Sequence, residues 1–303
     1  MRKSVFICSL FFVLITNVHA QAKIELLGKY VQNGSVQNDW LFGNYSNVFI
    51  KDSILYTTLL DANYISRIDL NKNSILRNYF FQPTIKEKYV NFNPNSFVRS
   101  NSGFLSNYST SILYFNSKGK FLYFKAEFGE IIEQLFMNDE EDIIVCSSFN
   151  SGCKVYLLNN KGSIIDKIIL KTDYYPDFCF FKNELISEDV NVWIKDKKII
   201  SGKNKKTEIL DKNSEKLIGS YDNNIFLYSK KTPSKIILRS VDSKNYIGEI
   251  QLPSEMVVLI KQSSAYKETG EYIPILKVLS INEKIHYIVF ASRGYLYLYK
   301  MEL

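Results

Sequence analysis

The sequence predicts an all-β fold, and three observations predict it. Short strand-forming runs dominate from Ile24 onward, many of them are apolar at consecutive positions, and a strand-and-turn unit recurs about every 42–46 residues. The runs, such as Ile112-Leu113-Tyr114-Phe115, Ile143-Ile144-Val145 and Val155-Tyr156-Leu157-Leu158, are β-branched or aromatic and end in clusters of Asn, Asp, Gly, Ser and Lys. Those residues suit a pleated, buried surface and tight turns, respectively. A strand with one wet face alternates apolar and polar residues, so consecutive apolar residues mean that both faces are covered. In an all-β chain, four-stranded sheets stacked radially cover both faces, because each packs against a neighbour on either side. The expected fold is therefore a six-bladed β-propeller of four-stranded antiparallel blades, with seven blades as the alternative.

Along the chain, residues 1–20 read as a cleavable leader. Arg2 and Lys3 precede the apolar run Val5 to Ile15, and Val18-His19-Ala20 supplies a small-residue cleavage site before Gln21. The run is too short to span a bilayer, and Ile7 stands where a lipoprotein signal needs a small residue before Cys8. Residues 21–303 are expected to form one propeller domain. Ile24 to Tyr30 is an orphan strand. The fullest repeat unit is Leu135 to Ile165, which reads as strand, polar turn, strand, loop, strand, tight turn, strand. Parts of it recur at Ile65 to Ile75, at Ile112 to Leu122 and at Ile236 to Ile247, with a degenerate copy expected on Asn191 to Ile200. Ser254 to Lys261 fits a short helix capped by Ser254, but Val257-Val258-Leu259-Ile260 reads equally well as strand. Only three strands remain at the end: one closing at Ile281, His286 to Ala291 and Tyr295 to Lys300. The last blade then lacks its outer strand, and Ile24 to Tyr30 has the length to supply it and close the ring.

The unit Leu135 to Ile165 runs apolar strand, Asp/Asn turn, Ile-x-Val strand, polar loop, apolar strand, Asn-x-x-Gly turn. In this it resembles the six-bladed propellers of the NHL and YncE-like kind, and the secreted six-bladed propellers common in Bacteroidetes. The glycine-rich strand entry of that family is reduced here to Phe128-Gly129-Glu130.

Composition excludes several function classes. The net charge of +7, of which Arg2 and Lys3 contribute two, is spread along the chain. Its local peaks, Lys195 to Lys198 and Lys203 to Lys206, read as solvated hairpin faces, so no nucleic-acid partner is expected. Beyond the leader only His286 remains, which excludes a multi-histidine metal site, and its setting in Ile285-His286-Tyr287-Ile288 reads as structural. Cys146, Cys153 and Cys179 form no C-x-x-C pair. A two-residue Asn150-Ser151 loop places Cys146 opposite Val155, whereas a four-residue loop places it opposite Cys153. Three free thiols are the expected state. Asp139 to Asp142 lacks the alternating ligands and glycine of a calcium loop and reads as a solvated turn.

In a propeller, the links between blades and the turns between second and third strands gather on one face around the channel. Candidate ligand-binding residues there are Trp40, Tyr64, Lys88, Tyr89, Tyr108, Tyr174, Tyr175 and Arg293, since aromatic faces beside amides and charges suit stacking and directional hydrogen bonds. Nucleotide, phosphate-loop, zinc-protease, serine-hydrolase and sialidase Asp-box motifs are absent from the sequence, and no cofactor or metal is expected. The expected function is an exported, periplasmic or extracellular, monomeric, non-catalytic module that binds a peptide, protein or glycan, with no membrane span. The alternatives are a carbohydrate-active enzyme using channel carboxylates such as Asp39, Asp61, Asp173, Asp177 and Glu268, or a structural partner in an envelope complex.

Overall fold

The computed structural model describes residues 22–31, 48–58, 64–80, 97–118, 120–150, 152–172, 175–176, 178–181, 183–203, 210–211, 213–240, 246–262, 275–292 and 295–303. These form six four-stranded antiparallel sheets, the six blades. Strand β1 is Lys23–Val31. Blade I then follows as β2 (Val48–Lys51), β3 (Ile54–Thr58), β4 (Tyr64–Asp69) and β5 (Ser74–Phe80). Blade II is β6 (Phe97–Arg99), β7 (Gly103–Tyr108), β8 (Ser111–Asn116) and β9 (Phe121–Glu127). Blade III is β10 (Ile132–Met137), β11 (Ile143–Phe149), β12 (Gly152–Leu158) and β13 (Ile164–Leu170). Blade IV is β14 (Cys179–Phe181), β15 (Glu184–Ile186), β16 (Val190–Lys195) and β17 (Lys198–Lys203). Blade V is β18 (Glu215–Tyr221), β19 (Asn224–Ser229), β20 (Lys235–Ser240) and β21 (Tyr246–Gln251), followed by helix α1 (Ser254–Lys261). Blade VI is β22 (Ile275–Ser280), β23 (Ile285–Ser292) and β24 (Tyr295–Glu302), completed by β1 as its outer strand.

The exchange that closes the ring runs from Lys23 opposite Glu302 to Val31 opposite Tyr295, with a bulge between Leu26 and Gly28. It is fastened to blade I through Tyr30, whose hydroxyl donates to Asn73 Oδ1 at 2.6 Å, while Asn73 Nδ2 donates to the Leu27 carbonyl.

Consecutive apolar residues have the anticipated cause. In β11, Ile143 and Val145 join a buried cluster with Val98, Leu105 and Ile112 of blade II. Their neighbours Ile144 and Cys146 join another with Leu185, Val192 and Ile194 of blade IV. The pleat sends alternate residues to opposite faces, and each face meets a different blade. Four further clusters fill the remaining junctions: I with II, IV with V, V with VI, and VI with I.

The turns between third and fourth strands repeat one chemistry. Asn116 Oδ1 accepts from the backbone N–H groups of Lys118 and Lys120, and Asn159 Oδ1 does the same for Lys161 and Ser163. Gly162 has φ +87°, a left-handed conformation, and a Cβ there would lie 2.5 Å from the Lys125 carbonyl oxygen. The degenerate unit proves to be blade IV, whose β16–β17 hairpin turns on Asp196 and Lys197, both with positive φ.

Three local expectations are resolved. Residues Ser254–Lys261 are helical, because Met256 and Ile260, one turn apart, are both buried while Val258 is exposed; Pro253 occupies the N-cap and no side chain caps it. The β11–β12 register places Cys146 opposite Val155 and Ser148 opposite Cys153, so the two-residue loop is the one used, and none of Cys146, Cys153 and Cys179 forms a disulfide. The Asp139–Asp142 turn is less solvated than expected. Asn138 Oδ1 accepts from the Glu140 and Asp142 N–H groups, and buried Asp142 receives the Lys197 ammonium from blade IV.

Candidate functional site

The first strand of every blade lines the channel. Between them lies a cavity of about 520 Å³ whose wall combines parts of β2, β6, β10, β14, β18 and β22. A cavity of that size suits a drug-sized ligand or a few residues of a partner chain. The lining begins partway along β10, β18 and β22 and continues, in blades I and III, into the turns after the first strands, at Asp52, Asn138 and Asp139. The described cavity therefore lies toward the end of the ring opposite the inter-blade links.

Its apolar wall is aromatic. Phe49, Phe97, Phe136, Phe178, Phe180 and Phe181 all contribute, and the Phe136 and Phe180 rings, from adjacent blades, lie 5.3 Å apart. The polar lining is mostly cationic or neutral. Lys51 donates at 3.4 Å to the Arg99 carbonyl and to Asn101 Oδ1. Arg99 donates at 2.9 Å to the Gly103 carbonyl and rests 4.7 Å from the Phe104 ring centre. Lys277 interrupts the apolar strand Ile275-Leu276-Lys277-Val278-Leu279 and is half-buried. None of these three cations meets a carboxylate among the described residues. Ser220, 7% exposed, has an Oγ with no hydrogen-bond partner, on a strand pressed so close to blade VI that a Cβ on Gly219 would lie 2.4 Å from the Val278 carbonyl oxygen. The lining carboxylates among the described residues, Asp52 and Asp139, are exposed turn residues.

The single histidine beyond the first 20 residues stands behind this wall. His286 is 1% exposed, with Nδ1 at 2.7 Å from Ser280 Oγ and Nε2 at 3.2 Å from the Glu283 carbonyl oxygen. Its ring meets Phe226 edge-on at 5.0 Å, and burial lowers its pKa. Both features fit a structural residue at the junction of blades V and VI. Among the described residues, burial pushes up the carboxyls of Glu133 in blade III and Glu188 in blade IV, and neither lines the cavity. Among the described residues no group of three His, Cys, Asp or Glu side chains is placed to hold a metal ion, and no helix is long and apolar enough to cross a membrane.

Of the eight residues expected to bind ligand, Trp40, Lys88, Tyr89, Tyr174 and Arg293 lie outside the described residues, as do Asp39, Asp61, Asp173, Asp177 and Glu268. Tyr64 opens β4 and Tyr108 ends β7, both at the strand ends that face the turns between second and third strands. Tyr175 is half-buried against the core shared by blades III and IV, and its hydroxyl donates at 3.4 Å to Gln134 Oε1, which also accepts from the Phe178 N–H. Lys51, Arg99, Ser220 and Lys277 escaped the sequence reading, although a lone lysine inside an apolar strand was a visible signal for the last.

No family model and no curated protein matches this chain. Among solved structures, a streptogramin B lyase superimposes with a TM-score of 0.50 at 13% identity, over 93% of this chain and 98% of that one. A catalytically inactive histidine-to-alanine variant of virginiamycin B lyase from Staphylococcus aureus, solved with quinupristin, gives 0.50 at 13% identity over 84% and 79%. At that identity the likeness is one of architecture. The chain is a six-bladed β-propeller closed by its N-terminal strand.

Proposed function

We propose that this chain is an exported, monomeric, non-catalytic propeller that binds a peptide, protein or glycan around its central channel. One observation carries the reading: among the described residues the channel wall offers phenylalanines and cations that meet no carboxylate, while Asp52 and Asp139 are exposed turn residues. Such a wall recognises apolar and acidic groups, which favours a peptide or protein partner. The loop-face candidates Trp40, Tyr64, Lys88, Tyr89, Tyr108, Tyr174, Tyr175 and Arg293 would form a second recognition surface, separate from this cavity. Export follows from the leader, with cleavage near Ala20 delivering the chain to the periplasm or the exterior.

The second reading, an enzyme, draws on the fold shared with streptogramin lyases. One of those lyases is inactive when a histidine becomes alanine, whereas His286 here is buried with both ring nitrogens engaged. That difference supports binding over chemistry of that kind.

Peptide and glycan libraries incubated with the purified protein decide between the two. A binder recovered by mass spectrometry with its mass unchanged, and lost on Phe136→Ala with Phe180→Ala, is the expected outcome; a chemically altered product would establish the enzyme. N-terminal sequencing of exported protein should begin at Gln21, and a retained Met1 would refute cleavage.

A further inference from the structure

We infer that the channel cavity selects a carboxylate carried on an apolar body, with Lys277 as the principal anion-binding residue. This rests on the binding reading above and names the chemistry of the group that enters the cavity. Lys277 stands on β22, inside the ring, between Leu276 and Val278, which are buried against blade V. A half-buried lysine lays its stem along apolar surface and keeps its ammonium where water, a carboxylate or a ligand anion can reach it. Lys277 has no hydrogen bond or ion pair with any described residue. The other two cations of the wall, Lys51 and Arg99, are held only by neutral acceptors and a ring face.

A second, independent observation is the orphaned hydroxyl of Ser220 on the neighbouring first strand. Ser220 lines the cavity as a residue, and its Oγ is shut away from solvent with no partner. Buried polar atoms are nearly always satisfied, so this hydroxyl stands ready to donate to a ligand oxygen once its χ1 turns toward the cavity. Among the described residues, the negative groups of the lining, Asp52 and Asp139, sit exposed at the turns, where solvent screens them. The interior of the cavity is thus cationic and aromatic, and its rim is mixed. An ammonium-bearing ligand would meet three like charges, whereas a carboxylate gains charge-assisted hydrogen bonds and leaves its apolar body on Phe136 and Phe180.

The test uses three probes of one shape: 4-phenylbutyrate, 4-phenylbutylamine and 4-phenylbutanol, titrated by ligand-observed NMR into wild-type protein and into Lys277→Met. The methionine keeps the length and apolar stem of the lysine and removes its charge. The expected result is that wild type binds the carboxylate about tenfold more tightly than the alcohol, with the amine weakest, and that Lys277→Met abolishes the preference. Ser220→Ala should weaken the carboxylate less than Lys277→Met does. Equal binding of all three probes to wild type overturns the selectivity while leaving an apolar binding channel. Binding of none overturns the inference outright, and the library experiment still decides the binding reading on its own. Because the probe comparison is made on wild type, a poorly folded variant would not rescue the idea.

Discussion

Blades III and IV share one hydrophobic core and are built quite differently. The strands of blade III are six or seven residues long, and the turn after its first strand is organised by Asn138. Blade IV begins with two strands of three residues each, Cys-Phe-Phe and Glu-Leu-Ile, and lengthens only in its outer pair. Its buried polar groups are less completely satisfied: Asn191 donates at 2.7 Å to Glu184, but its own Oδ1 lacks a partner. The thin blade nevertheless holds its place. Leu185, Val192 and Ile194 bury themselves against Ile144, Val155 and Leu157 of blade III, and Ile186 packs with Leu217, Ile225 and Leu227 of blade V. A propeller blade is therefore stabilised chiefly across its faces, and a ring tolerates a short blade provided its neighbours are full ones.

If that is right, an open ring should harm the protein more than a thin blade does. Deleting residues 22–31 removes the outer strand of blade VI, its ladder to β24 and the Tyr30–Asn73 fastening. We expect a loss on the order of 5 kcal/mol, read as a lowered urea midpoint. An unchanged midpoint would show that closure contributes nothing and break the comparison at its base.

The next test compares the two sides of the shared core. Leu157→Ala in blade III should cost about 2–5 kcal/mol by transfer and cavity terms. Val192→Ala in blade IV removes fewer atoms beside a shorter sheet that can relax, and should cost about 1–2 kcal/mol. Both residues are fully buried, so a reversed order by chemical denaturation would mean that the thin blade is the more rigid one.

Glu130, in the link that enters blade III, offers a smaller and pH-dependent effect. It pairs with Lys154 and accepts from the Tyr156 hydroxyl at 2.9 Å. The lysine hydrogen bond, opposed by desolvation, holds its carboxyl below the ordinary 4.5, while burial and Glu130 push Tyr156 up to about 12. A carboxyl with a lowered folded pKa contributes stability that is complete above its unfolded value and is lost as pH falls through the folded one. Glu130→Gln should therefore cost about 1–2 kcal/mol near neutrality, with the gap to wild type closing below about pH 4.5. A gap independent of pH would remove the charge from the explanation.

Thiol accessibility sharpens the contrast without altering stability. Cys146 and Cys153 are buried in blade III, and burial with the neighbouring Cys153 thiol pushes Cys146 well up; Cys179, in blade IV, is half-buried. The native protein should label at Cys179 first, and the denatured, unreduced chain beginning at Gln21 should show three thiols. One thiol would mean a Cys146–Cys153 bridge.

The same contrast explains what was legible in the sequence. Blade III could be read because double-sided burial writes itself as Ile143-Ile144-Val145, and Asn159 to Gly162 announces its turn. Blade IV was located only by the length of the gap it fills, since three-residue strands carry no period. The segment Val257 to Ile260 stayed ambiguous because its β-branched residues suit a strand, and only the joint burial of Met256 and Ile260 makes it a helix. Closure was legible from counting strands at the two ends. The cavity was not, because Lys51, Arg99, Ser220 and Lys277 are spread over more than two hundred residues and meet only once the ring has brought the first strands together.

The pairing of β1 with β24 also fixes an order of events. Lys23 waits for Glu302, so a strand made well before the rest of the ring is among the last to find its partner. Contacts of such sequence separation form slowly, because loop-closure entropy opposes them until the intervening chain is ordered. During that interval blade VI has an unpaired edge at β24 and a loose apolar strand that seeks it, the combination from which domain swapping and aggregation start. Once β1 docks, the ends of the sheet system are joined through a single blade, and opening the ring requires that whole ladder to be broken at once. The N-terminal strand thus acts as a kinetic latch, late to engage and slow to release.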